Sequence, residues 1–533
     1  MSSTPPSTAP TNGIKHEPQT ASHNLLTQAS QHSNNLPSTT SDVYNWSHVY
    51  QLAIQQQVMR PVSESDIVDT VRNLSDNQYI RVIGSGLSFE QIHSVLQSEG
   101  DNRDNAILLD LRCYSGLINY DHDTHTVTYK AGTKLESIFL ELQESYNRIL
   151  PCSPGVIAIQ TLAGAISTGT HGQGLYQSSL ADVVTQLRIC QPGGIIKTIK
   201  RGDSNFGAYI SSLGCFGVIL DITLETREST VFTCNKVTYT FNDMIQQFSQ
   251  QNESHEFVKG WWFPDDDIVH VWEVDESNES DANQWLSSDR NDTITLSEIN
   301  TDMNKLVEKT KDKMSHDTKA DRNGSATQYK TVDRFKNVSN VCGSIYQILC
   351  KGIPVPQINC EIAVPYDRMN DCLLALNRWY KSSGAQLHYP FILRCAGAST
   401  AWLSPAYNKR VCWIGSLVYL ADDGTAVQGG MDWLKAIQQV MIQYDGLPHL
   451  GKHYRSELYS FDTLLPRWND FIQLKQTIDP LNQFSNNFIL QLFSLEKQQY
   501  IEPDSLTPST LQRQLSYSQV EKNINTAAVT VQS

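Results

Sequence analysis

Between residues 44 and 225 the chain alternates two hydrophobic rhythms. Short β-branched runs (IRVIG, AILLDL, HTVTYKAG, IIKTIK, GVILDITL) read as strands. Between them, ESDIVDTVRNL and LESIFLELQESY carry apolar residues at helical spacing. Residues 123–132 alternate apolar and polar positions one by one, which predicts a strand with one buried face, and residues 134–146 predict an amphipathic helix. Over residues 232–465 the mixture returns, with strand signals in HEFVKGWWF, DIVHVWEV, QINCEIAVP and RVCWIGSLVYL and a helix in DRMNDCLLALNRWY. The expected class is α+β with two domains, residues 44–231 and 232–465. Residues 466–494 form a C-terminal segment that reads as helical up to the break at Asp479-Pro480. No internal repeat is visible.

Where the rhythm stops, the composition changes. Residues 1–43 and 495–533 are rich in Ser, Thr, Pro, Gln and Asn and carry too few large apolar groups to offset chain entropy, so both are expected to be disordered tails. A polar stretch ahead of Val341 reads as an insertion or a mobile loop.

With 533 residues, 40% of them apolar, the chain can bury a sizeable core. Its net charge of −15, from 41 basic and 56 acidic residues, comes without any basic stripe, so nucleic acid is not an expected partner. The mixed-sign run at residues 305–322 reads as a solvated face. Eleven cysteines lie scattered without CxxC pairs or metal-ligand spacing, which predicts neither disulfides nor a metal site. No apolar run approaches 18 residues, and the first Arg is Arg60, so neither a membrane span nor a secretory or Arg-rich transit signal is expected. A cytosolic location is the default reading.

Three glycine-rich stretches carry candidate chemistry. RVIGSGLS places Gly84, Ser85, Gly86, Leu87 and Ser88 after an apolar run, where backbone N–H groups can turn inward as a nest for a pyrophosphate. Alone this reads more readily as an ordinary turn, and the spacing is not that of a Rossmann dinucleotide site. QTLAGAISTGTHGQG, at residues 160–174, has small or hydroxyl residues at nearly every position, including Gly164, Ser167, Thr168, Gly169, Thr170, His171 and Gly172. A packed helix or strand would waste burial there, whereas backbone wrapped against a flat ring system needs such residues. SLGCFGVILDITL places Gly217, Val218 and Ile219 at the mouth of a continuous apolar strand. Three such loops in one region point to a large nucleotide cofactor.

In these motifs, and in FILRCAGASTAWLSPAY, LPHLGKHY and IDPLNQFSNNFI further on, residues 46–492 resemble the sugar-1,4-lactone and alditol oxidoreductases of the vanillyl-alcohol-oxidase flavoprotein superfamily. That family includes gulonolactone oxidase, arabinono-lactone oxidase and plant galactono-lactone dehydrogenase. The resemblance implies a PCMH-type FAD domain joined to a substrate (cap) domain, with residues 466–494 and Asn486 completing the FAD site. It further implies hydride transfer from a sugar lactone or polyol to FAD, and electrons passed to oxygen or another acceptor, as in ascorbate-type synthesis. Eukaryotic relatives often associate with mitochondria or endoplasmic reticulum.

Departures from the family pattern are informative. Many relatives read GSGHS and attach the flavin through that His; Leu87 has no nucleophile, so the resemblance implies FAD bound without a covalent bond. His171 reads as a structural hydrogen-bonding residue. In His449-Leu450-Gly451-Lys452 the family usually has Trp at the second position; Lys452 would supply a cation beside the flavin, with His449 next to it. Arg394 either binds a substrate oxygen, the favoured reading, or pairs with a surface carboxylate. Where the family has Glu two residues before this Arg, the chain has Ile392. Two further readings therefore stay open: a less hydroxylated alcohol as substrate, and a flavin-binding protein with impaired catalysis. Glu361 is either a second carboxylate of the site or a solvent-facing strand residue.

Overall fold

The computed structural model describes residues 42–96, 106–153, 155, 157–288, 335–350, 356–385, 387–420 and 430–494. Both tail expectations, apart from Asp42 and Val43, and the mixed-sign run at 305–322 lie outside the described residues.

Strands β1 (Val58–Met59), β2 (Ile80–Ile83) and β3 (Ile107–Asp110) form a parallel sheet in the order β1-β3-β2. Between the first two runs helix α1 (Glu64–Arg72), which starts where the Ser63 hydroxyl accepts the Asp66 N–H at 3.2 Å and the Asp66 carboxylate accepts the Ser63 N–H at 2.9 Å. A second, antiparallel sheet holds β4 (Leu117–Asp121), β5 (Thr126–Lys130), β6 (Val184–Gln191), β7 (Ile195–Lys200) and β8 (Val218–Glu225), in the order β7-β6-β8-β5-β4. As its alternation predicts, β5 buries Val127 and Tyr129 while its other residues stay half-buried. Helix α2 (Leu135–Tyr146) buries Leu135, Ile138, Phe139 and Leu142 and ends where Asn147 turns left-handed at φ 52°.

The third sheet has eight antiparallel strands: β9 (Phe232–Thr240), β10 (Phe257–Phe263), β11 (Ile268–Glu276), β12 (Val338–Gly343), β13 (Gln357–Pro365), β14 (Phe391–Ala396), β15 (Val411–Tyr419) and β16 (Leu447–Pro448). Their order is β12-β9-β11-β10-β14-β15-β13-β16. On one face lie helices at Phe241–Ser254, Met369–Ser383 and Gly430–Met441, which bury Met244, Phe248, Leu373, Leu376, Leu434 and Ile437. With both faces covered, β15 is buried at all nine positions, and its sequence reads as an apolar run broken only by Gly415 and Ser416 for that reason. One continuous cluster of buried apolar side chains passes through all three sheets, from Val49 to Leu492.

Asp182 ties the residues that follow the second glycine-rich stretch to the segment after β14. Its Oδ2 accepts from the Ser178, Ser179 and Ser399 hydroxyls at 2.6, 2.6 and 2.8 Å, and its Oδ1 from the Thr400 N–H and hydroxyl at 2.7 and 2.9 Å. Asp182→Ala leaves these donors without their shared acceptor and is expected to lower unfolding free energy by about 2–4 kcal/mol, read as a shifted urea midpoint. An unchanged midpoint would show that water replaces the carboxylate.

Candidate functional site

The face of the eight-stranded sheet turned away from the helices looks across a cavity at the three glycine-rich stretches. Strand register fixes this wall: Glu361 stands opposite Gly415, Gly415 opposite Ile392, and Ile392 opposite Trp261. The next row pairs Ala363 with Trp413, Trp413 with Arg394 and Arg394 with Lys259. Side chains two apart on a strand share a face, so Gln357, Asn359 and Glu361 form one polar edge of the wall, and Trp261, Trp272, Ile392 and Leu417 an apolar one.

Opposite this wall, the loop Gly84–Ser88 leaves β2 as the sequence predicts, and all five residues line the cavity. A Cβ on Gly84 would lie 1.9 Å from Thr161 Oγ1, so only glycine lets the first loop pack on the second stretch. Leu87 is half-buried and faces the cavity; it is not a core residue beneath the loop. Arg81, buried just before the loop, donates to the carbonyls of Ile92 at 2.8 Å and Leu213 at 2.6 Å, and to that of Phe484. One guanidinium thereby joins the first and third glycine-rich stretches to the C-terminal segment.

The second stretch departs from the expectation that it holds no packed helix: Leu162–Ser167 is a short helix. Its small residues let the helix lie against the cavity, which Gly164, Ser167, Thr168, Thr170 and His171 line. Gly169 and Gly172 do not line it; a Cβ on Gly172 would sit 2.2 Å from Ser153 Oγ, so that glycine serves loop packing. In the third stretch Gly217 and Ile219 face the cavity and Val218 does not. Asn486 lies away from the cavity wall, where its side-chain amide donates to the carbonyls of Gln91 and Ser94 at 2.7 and 2.9 Å and its Oδ1 caps the last helix through the Ile489 N–H at 3.0 Å.

A cluster of charged and polar groups closes the far end. Arg394 Nη2 donates to Glu361 Oε1, and Arg394 Nη1 reaches the His171 carbonyl at 3.3 Å. Glu361 is 2% exposed, which removes the solvent-facing reading of that residue. The His171 ring stacks on Trp413 with centroids 3.9 Å apart and places Nε2 3.5 Å from Glu361 Oε2. His449 and Lys452 also line the cavity; the Gly451 N–H donates to His449 Nδ1 at 3.0 Å, and Lys452 Nζ lies 5.2 Å from the Phe89 ring centroid. Glu90 Oε1 and His453 Nδ1, 2.8 Å apart, hold the Lys452 loop against the first glycine loop.

These groups set one another's charge. Burial alone would raise the Glu361 carboxyl, but the Arg394 guanidinium beside it, first among its charged neighbours, holds it well below the usual carboxylate range. Burial, and then Arg394, lowers His171; burial, and then His171, lowers His449 well below the usual imidazole value. Burial also lowers the Lys452 ammonium. At neutral pH the site holds an ionised Glu361 and two neutral imidazoles.

The cavity fits FAD. Glycine backbone lines it at Gly84, Gly86, Gly164, Gly214 and Gly217, and cationic and polar side chains gather at the end nearest the third sheet. Among the described residues no group of His, Cys, Asp and Glu is arranged to hold a metal ion, and no helix is long and apolar enough to cross a membrane.

Comparison with known proteins agrees with this geometry. The family described as "FAD binding domain" matches residues 55–200, and the D-arabinono-1,4-lactone oxidase family matches residues 222–492. The chain is 22% identical over 457 residues to an L-gulono-1,4-lactone dehydrogenase of Mycobacterium tuberculosis, covering 82% of this chain and 96% of that protein. It is 20% identical over 467 residues to the L-gulonolactone oxidase of Mus musculus, covering 84% and 97%. Among solved structures, a cholesterol oxidase from B. sterolicum superposes with a TM-score of 0.68 at 16% identity, covering 87% of this chain and 99% of that one, which shows a shared fold. The chain belongs to the D-arabinono-1,4-lactone oxidase family and is an FAD-dependent oxidoreductase acting on CH–OH groups.

Proposed function

We propose that the protein oxidises a CH–OH group of a sugar-1,4-lactone, with FAD bound non-covalently along the three glycine-rich stretches. In this reading residues 44–231 and 466–494 hold the cofactor and residues 232–465 form the substrate wall. The observation that carries it is the buried Arg394–Glu361 pair, set in a wall that faces the glycine loops across one cavity. Bound FAD supplies the acceptor for the hydride that leaves the substrate carbon. Arg394, fixed by Glu361, holds the substrate oxygen through a guanidinium that its partner has already oriented. Lys452 supplies a fixed cation on the cavity wall, matched to the negative charge that reduction brings, and the backbone N–H groups of the loops add to it. Oxygen or another acceptor then takes the electrons.

The apolar edge formed by Trp261, Trp272, Ile392 and Leu417 favours a second reading, in which part of the substrate is less hydroxylated than a sugar. Intact pairing of Arg394 with a carboxylate argues against impaired catalysis, because Glu361 supplies the charge that Ile392 lacks.

Purified protein is expected to show flavin absorption, and acid precipitation to release the yellow colour into the supernatant. Under anaerobic challenge with aldono-lactones, alditols and apolar alcohols, lactones should bleach that colour fastest. Colour kept in the pellet would overturn non-covalent binding, and bleaching by apolar alcohols alone would overturn the lactone.

A further inference from the structure

Two buried imidazoles line the same end of the cavity, and their backbone contacts give them opposite roles. The Gly451 N–H can only donate, so His449 Nδ1 accepts and the proton of that neutral ring sits on Nε2. The Gly172 carbonyl can only accept, and it lies 3.1 Å from His171 Nδ1, closer than Glu361 Oε2 lies to Nε2, a geometry that is a hydrogen bond when the proton of that ring sits on Nδ1. His171 Nε2 is then a bare lone pair, and it is buried without a hydrogen-bond partner. It faces the Glu361 carboxylate at 3.5 Å, acceptor against acceptor. Such a pair is short of one proton, and the cavity is the direction from which a ligand hydroxyl can bring it.

We propose that His171 Nε2 takes the hydroxyl proton of the substrate, with Glu361 stabilising the imidazolium so formed and His449 Nε2–H donating to a substrate oxygen. This deepens the proposed function and rests on it. The substrate O–H bond breaks and an N–H bond forms on His171; the C–H electron pair leaves with its hydrogen as hydride to bound FAD; the C–O single bond becomes a carbonyl. The imidazolium returns its proton to solvent after product leaves. Burial and Arg394 oppose the imidazolium, and the neighbouring His449 and Lys452 add no negative charge, so Glu361 is the group that makes the transfer reversible. Stacking on Trp413 fixes the ring plane, and the Gly172 carbonyl fixes its tautomer.

Two independent readouts test this. In 15N-histidine-labelled protein at pH 7, the His171 ring should show a protonated Nδ1 and a bare Nε2; a proton found on Nε2 overturns the proposal without any turnover measurement. In stopped-flow reduction with the best lactone, His171→Gln and His171→Asn should keep the FAD spectrum and slow flavin reduction by about 10²-fold or more at saturating substrate. Reduction within threefold of the parent in either variant overturns it. If neither variant holds FAD, Glu361→Gln decides: loss of the carboxylate should move the acid limb of the reduction rate to lower pH, and an unmoved limb overturns the proposal. Failure of the parent protein to reduce its flavin with any lactone or alcohol is a separate outcome, which removes the proposed function itself.

Discussion

Glu361→Ala is expected to cost about 3–5 kcal/mol of unfolding free energy and to bring flavin reduction near the background rate. The reason is electrostatic. Arg394 is 7% exposed, Glu361 is its anionic partner, and its Nε has no hydrogen-bond partner already. Removing the carboxylate leaves a buried cation uncompensated, with the partly buried Lys452 adding repulsion. Glu361→Gln keeps the volume and one acceptor and should cost less stability and leave a slowed but measurable reduction rate. Chemical unfolding and stopped-flow reduction of the FAD-loaded protein separate the two effects. The pH dependence has a defined sign: a carboxyl held below its unfolded value stabilises fully above about pH 4.3 and loses that contribution as pH falls through the folded value. The stability gap between parent and Glu361→Gln should therefore be widest at neutral pH and close in acid. Because Ile392 and Glu361 flank Gly415, which has no side chain to separate them, adding Ile392→Glu to Glu361→Gln should return at least tenfold of the lost rate. In the parent background, Ile392→Glu should slow the enzyme by crowding two carboxylates around one guanidinium. A double variant no faster than Glu361→Gln would show that the carboxylate works only from β13.

Where one face of an element meets solvent, or both faces meet protein, the sequence pattern is unambiguous, and β5, α2 and β15 follow from it. Other elements were not legible. The β9 strand and the helix at Phe241–Ser254 carry many polar residues because each presents one partly exposed side, and FILRCA reads as a motif before it reads as a strand. For the site, the glycine loops were legible because close backbone approach leaves a compositional mark over many residues. The polar wall leaves a fainter one: Gln357, Asn359 and Glu361 alternate with Ile358, Cys360 and Ile362, a two-residue period that assigns three polar side chains to one face of an otherwise buried strand. That period was the available signal for Glu361. Nothing local could show that Glu361 reaches Arg394, since the contact depends on register across Gly415. His171 was read as structural because one sequence cannot show that its Nε2 lacks a partner. Asn486 was placed with the cofactor by its motif, whereas its amide is spent on the turn at Gln91–Ser94 that supports the first loop.

Gly217→Ala is expected to damage stability and cofactor binding together. Gly217 adopts φ +136°, a conformation that side-chain-bearing residues rarely enter, and an added Cβ would lie 2.2 Å from the Cys190 carbonyl oxygen. That oxygen belongs to the backbone of β6, whose Cys190 pairs with Val218, so it cannot swing aside as a side-chain end would. Relief of the clash requires β6 and β8 to part at the point where the third glycine stretch enters the cavity. The expected outcome is a loss of more than about 3 kcal/mol of stability together with loss of bound FAD, read from the flavin content of the purified protein and its thermal midpoint. Gly202 supplies the control, because it also has positive φ, +103°, but no atom within 4 Å of an added Cβ. Gly202→Ala carries backbone strain alone, about 1–2 kcal/mol, and should keep its FAD. If the two variants lose stability equally, strain accounts for both and the collision with β6 relaxes freely. If only Gly217→Ala loses its flavin, the close approach of the two strands is what holds the third stretch open to the cofactor.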